Sequence, residues 1–164
     1  MQVMKPGQVI QLHRDEQITC LRSGADGGRF EFEMRLGPGV DGPPMHSHEE
    51  GPEQLEVVSG AIELIFGDGE RRVLRAGDKL DIPAGCAHTF RNPSKQEPLI
   101  ARGAHSHRFE RSMDQFAPGG PSFTRLCRYI VGVDPKVTYM HSIAVRSVMR
   151  LVALLGRLRG VQTV

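Results

Sequence analysis

The chain has 164 residues, of which 24% are charged, and a formal net charge of +2. That length suits one domain with an appendage, able to bury a core without disulfides or structural metal. So even a charge balance, with no basic stripe interleaved with aromatics, argues against nucleic acid as a partner. Cys20, Cys86 and Cys127 are odd in number and widely spaced. They form neither a disulfide framework nor a CxxC zinc ribbon, so a reducing compartment is expected. The first residues lack the apolar core of a signal peptide, and no run is apolar for long enough to span a bilayer, so the expected location is cytoplasmic.

From Val3 to about Ala104, short β-rich runs alternate with Gly, Pro, Asn or Asp. They include RFEFEMRL, QLEVVSG, AIELIFG, RRVLRAG, KLDIPAG, AHTFRN and PLIARGA. Strands at this spacing, with no long helical pattern among them, predict an all-β sandwich or barrel. Phe66-Gly67-Asp68-Gly69-Glu70 reads as a hairpin turn between two of the runs. Gly60, Gly77 and Gly85 fall where strands must bend, which gives them a conformational role.

Two blocks carry chemistry: His46-x-His48-x4-Glu53-x6-Gly60 and Gly77-x5-Pro83-x-Gly85-x2-His88-x3-Asn92. Two histidines two residues apart on a strand point to the same side. Three imidazoles and a carboxylate suit iron, manganese, nickel, zinc or copper, and leave a coordination position open for reactivity. Glu49 and Glu50 lie in the same loop as Glu53 and compete with it as the carboxylate. Cys86, two residues before His88, reads as a small loop residue. His105 and His107 repeat the H-x-H spacing without a matching second block, and read as surface residues. No paired carboxylates, Ser-His-Asp set or phosphate-cradling glycine loop appears.

The two blocks resemble the two motifs of the cupin superfamily, in order, with sixteen residues between Gly60 and Gly77. Nine positions agree. One departs: the family pattern has a glycine six residues before the first histidine, where this chain has Val40. The resemblance implies a cupin-type jelly-roll β-barrel over residues 1–116. It also implies His46, His48, Glu53 and His88 as ligands of one divalent transition metal. Strand parity from those ligands predicts an apolar substrate pocket formed by Leu55, Val57 and Phe90, to which Met34 and Leu36 are candidates to add.

After Phe116 the composition changes. Ala117–Pro121 reads as a linker, and SIAVRSVMRLVALLGRLRGV reads as an amphipathic helix in a 117–164 extension. Its Arg146, Arg150 and Arg157 share one face, and Val145, Val148, Met149, Val152 and Leu155 the other. Three fates compete for the apolar face: packing on the barrel or a second subunit, contact with a membrane surface, or service as a partner-binding segment or lid. With all four ligands between residues 46 and 88, deletion from Asp134 onward is expected to leave metal affinity nearly intact. The resulting expectation is a homodimeric, metal-binding protein acting on a small organic molecule as an oxygenase or a Lewis-acid isomerase or lyase. A non-enzymatic binding or sensor protein is the alternative.

Overall fold

A computed structural model describes residues 3–13, 15–116 and 123–163; the expected linker, Ala117–Pro121, lies outside them. Among the described residues, eleven strands form two antiparallel sheets. The first sheet runs β1 (Val9–His13), β2 (Glu16–Arg22), β3 (Phe30–Leu36), β10 (Leu99–His105), β5 (Glu53–Ser59) and β8 (Lys79–Ile82). The second runs β11 (Tyr139–Met140), β4 (His46–Ser47), β9 (His88–Arg91), β6 (Ala61–Phe66) and β7 (Arg71–Arg75). No strand pairing joins the two sheets among the described residues, so the expected closed barrel is instead a pair of open sheets sharing one core.

Side-chain alternation explains which face of each strand is inside. On β3, Phe30, Phe32, Met34 and Leu36 are buried, while Glu31, Glu33 and Arg35 face outward or lie part-buried. On β6, Ile62, Leu64 and Phe66 enter the core. Their neighbour Glu63 is held by Arg91 and, at 3.2 Å, by Arg71. The predicted hairpin turn connects β6 to β7, with the Phe66 amide donating to the Glu70 carbonyl at 2.9 Å. Gly103, in the middle of β10, is required by contact: a Cβ there would lie 2.3 Å from Cζ of Phe32.

Past the sheets come α1 (His107–Asp114), α2 (Phe123–Arg128), a π-helical turn (Tyr129–Val133) and α3 (Ile143–Leu158). Ser106 caps α1 and Ser142 caps α3, each accepting from an amide three residues on. Glu110 of α1 is wholly buried and pins the chain's start, accepting from the amides of Met4 at 3.2 Å and Gly24 at 3.0 Å. No helix among the described residues is long and apolar enough to cross a membrane.

The last helix departs from its sequence reading. Its predicted apolar face is divided: Val145, Met149 and Val152 turn inward, whereas Val148 and Leu155 are exposed. Gly156 also faces inward, against Thr124 and Arg128 of α2.

Candidate metal centre

The sheets bring three histidines and one glutamate to a single point between them. His46 opens β4 and pairs directly with His88, the first residue of β9. His48, two residues after His46, shares its side. The Gly85 amide donates to the His48 carbonyl at 2.7 Å, and Gly85 makes this approach at a φ of 74°, in the left-handed region that favours glycine. Glu53 enters from the opposite sheet, as the first residue of β5, paired with Ile82 of β8.

One ring nitrogen from each of His46, His48 and His88 lies within 4.8 Å of the other two, and all three side chains are buried. Glu53 Oε2 stands 3.2 Å from His88 Nε2 and 3.6 Å from His48 Nε2. Of the competing carboxylates, Glu49 is exposed and Glu50 is engaged by Arg108 and by the Ser106 hydroxyl at 3.3 Å. Glu53 is therefore the carboxylate that the fold delivers.

Each imidazole is oriented by a carbonyl behind it. His46 Nδ1 meets Pro44 O at 2.9 Å, His48 Nδ1 meets Val137 O at 2.5 Å, and His88 Nδ1 meets Cys86 O at 2.9 Å. A carbonyl only accepts, so each Nδ1 carries the proton and each ring, when neutral, offers its Nε2 lone pair. Glu53 Oε2 and His88 Nε2 are buried without an aligned hydrogen bond, despite their 3.2 Å separation. Buried polar atoms of this kind call for a further partner. Borderline nitrogen donors, a hard carboxylate and these unsatisfied atoms together fit a divalent transition ion.

The electrostatics favour the metal-ready protonation states for most of the set. Burial, reinforced by the neighbouring His48 and His88, pushes His46 down to about 3. Burial also lowers His48, against the pull of Glu53. Burial works to raise Glu53, but His88 and then His48 offset it and hold the carboxyl at about 2. His88 moves the other way: burial opposes its charge, yet the Glu53 carboxylate raises it.

The C-terminal segment proves to be part of this centre. Besides the Val137 carbonyl, Thr138 Oγ1 lies 3.3 Å from His48 Nδ1. The Glu49 amide donates to Lys136 O at 3.0 Å, and His141 Nε2 meets the Ser47 hydroxyl at 3.0 Å. β11 pairs with β4 through Tyr139–Ser47 and Met140–His46. These contacts weigh against the expectation that deletion from Asp134 onward spares the site. His105 is a second correction: expected at the surface, it is 1% exposed on β10, with its ring centroid 4.5 Å from that of His48. The signal lay in strand parity, because Leu99, Ala101 and Gly103 point inward and His105 follows them. His107 is half-buried and bound to Glu110 at 2.7 Å.

A cavity of 380 Å³ opens beside the centre, and His46, His48 and Glu53 line it. Leu55 and Phe90 line it as predicted, with Met34, Phe32 and Ile82. Val57 and Leu36 are buried in the core and do not line it. The far wall comes from the C-terminal segment, through Leu126, Ile130, Thr138 and Met149. Glu16 of β2 also lines the cavity, and burial alone raises its carboxyl to about 7. Nothing in its sequence neighbourhood marked Glu16, because its environment is made by strands distant in the chain.

An antiparallel double sheet with a buried histidine cluster between its layers is an arrangement that could hold a single metal ion. Residues 32–101 match the cupin domain family, and the chain accordingly contains a cupin domain. It is 37% identical to quercetin 2,3-dioxygenase of Bacillus subtilis over 84 residues, covering 51% of this chain and 25% of that one. It is 35% identical to a probable oxidoreductase, virH, of Hypocrea virens over 63 residues, covering 38% of this chain and 29% of that one. The chain thus spans little more than a quarter of these relatives' lengths. Among solved structures, a cupin-like protein from Thermotoga maritima superposes with a TM-score of 0.51 at 18% identity, covering 71% of this chain and 93% of that one.

Proposed function

We propose that His46, His48, Glu53 and His88 hold one divalent transition metal, and that the protein uses it on a small, largely apolar organic molecule. The supporting observation is the set of three buried imidazoles, each held by a backbone carbonyl at Nδ1, with Glu53 facing them from the other sheet. When bound, such an ion polarises a substrate oxygen, the chemistry shared by oxygenases and Lewis-acid isomerases and lyases. Oxygenase chemistry is the nearer reading, from the likeness to quercetin 2,3-dioxygenase.

The protein's own contribution is placement and exclusion of water. Glu53 supplies the negative charge that retains a cation, and the carbonyls of Pro44, Val137 and Cys86 keep the rings aimed. Phe32, Leu55, Ile82 and Phe90 hold an apolar ligand against the centre. Residues 1–116 form the cupin unit, and the extension completes its cavity wall through Leu126, Ile130, Thr138 and Met149 rather than hanging from it. A homodimer formed through an open sheet edge belongs to the same reading, since unpaired edges invite pairing with a second copy.

Glu53→Gln tests the assignment. Removing the carboxylate of the proposed ligand set while keeping its volume should lower metal affinity by about 10–100-fold and leave the fold in place. Metal content measured by plasma mass spectrometry on untagged protein reads this out. Unchanged content in a folded variant would overturn the ligand set.

A further inference from the structure

The outer face of α3 is apolar, exposed and bordered only by arginine. Ile143, Val148, Leu151, Leu154, Leu155 and Leu158 are 44–74% exposed. At about 100° per residue they fall within an arc of roughly 140°, which also takes in the exposed Ala144 and a single polar residue, Ser147. Arg150 and Arg157 border that arc on one side and Arg159 on the other, and α3 contains no acidic residue. Arg146 is already engaged, over the Tyr139 ring and at 3.2 Å from Met140 O.

A second observation lies beside this stripe. A surface groove of 240 Å³ runs between the π-helical turn and α3, lined by Val133 and Leu154 and flanked by Arg128 and Arg157. No carboxylate lines it, and neither guanidinium has an acidic partner within salt-bridge distance among the described residues. Two free guanidiniums beside apolar walls match a phosphate-bearing headgroup with the start of its acyl chain.

We infer that α3 docks the protein on an anionic bilayer surface, its apolar arc entering the headgroup boundary and the Arg128–Arg157 groove receiving a lipid phosphate. A second copy fits less well. Stacking two α3 helices would set guanidinium against guanidinium with no carboxylate between them, whereas anionic lipid neutralises both flanks. The apolar arc is also broader than the narrow seam of a two-helix coiled coil.

The test is co-sedimentation of the full chain with vesicles of phosphatidylcholine mixed with phosphatidylglycerol, against vesicles of phosphatidylcholine alone. Binding is expected only to the mixed vesicles, weakening as salt rises. Arg128→Gln with Arg157→Gln should reduce it about thirtyfold. Leu151→Asp with Leu158→Asp should reduce it to background. Leu151, Arg157 and Leu158 are exposed, and glutamine keeps most of the stem that the half-buried Arg128 packs against Gly156, so both variants should keep wild-type thermal stability and metal content. Inorganic phosphate at equal ionic strength should not release the protein; release would assign the groove to the free anion and overturn the docking. Failure of the wild type to bind the mixed vesicles would overturn it too. So would a Leu151→Asp, Leu158→Asp variant that turns a dimer into a monomer while vesicle binding persists.

Discussion

Ending the chain after Val133 tests whether the C-terminal segment belongs to the metal centre. The truncation removes the Val137 carbonyl at 2.5 Å from His48 Nδ1, the Thr138 hydroxyl at 3.3 Å, and the pairing of β11 with β4. Without that carbonyl, His48 is free to place its proton on Nε2, which converts a ligand nitrogen into a donor. Loss of an outer partner of this kind lowers metal affinity by about 10–100-fold, or about 1.4–2.7 kcal/mol. Competition for zinc between the protein and a chromogenic chelator measures the difference, with circular dichroism reporting the sheets. A folded, truncated protein that holds zinc as tightly as the full chain refutes the reasoning. Truncation also uncovers Leu126 and Ile130, both buried. If it abolishes folding, Thr138→Val and Ser47→Ala put the question more gently. Each should weaken binding about threefold, and no change in either would be equally decisive.

Two further outcomes concern stability. Gly103→Val should cost about 2–3 kcal/mol in urea unfolding, because its Cβ would meet the Phe32 ring at 2.3 Å; a loss within about 0.5 kcal/mol would mean that the ring yields freely. Glu16→Gln should change how stability depends on pH. Burial raises the Glu16 carboxyl from 4.5 to about 7, so the folded state holds a proton that the unfolded state releases. Its contribution is intact below pH 4.5 and declines as pH rises through 7. The variant should therefore be the more stable form above pH 7, by at most about 3 kcal/mol, and the advantage should vanish at acid pH. Parallel denaturation curves for the two proteins across that range would contradict the burial of Glu16.

The histidine cluster was readable because its signal is local. His46 and His48 are two residues apart, Glu53 follows within one loop, and the glycines around His88 mark the turn that presents it. Strand parity likewise placed Leu55, Phe90 and the inward face of β6. What escaped was made by long-range contact. Val137 is 89 residues from His48, and it acts through a backbone carbonyl, which no side-chain pattern betrays. The closed barrel failed for a related reason: alternation fixes which face of a strand is buried, but not whether the outermost strands of two sheets meet. The divided face of α3 was hidden because the helix is apolar over most of its circumference. Only contact with α2 and the π-helical turn decides which side is inside.

That division gives α3 two roles on opposite sides of one element. Its inner side supplies Val145 and Met149 to the cavity wall, beside Thr138, which touches His48. Its outer side carries the exposed leucines and borders the arginine groove. A helix lying in the headgroup layer would therefore have the cavity directly beneath it. The cavity's walls are mostly apolar, and apolar ligands concentrate in bilayers for the same reason that they enter such walls. Docking and ligand supply would then share one physical cause, the transfer of apolar surface out of water. The candidate metal centre stays separate from the proposed docking face, because its four side chains and their orienting carbonyls all lie between the sheets or on the segment that precedes α3.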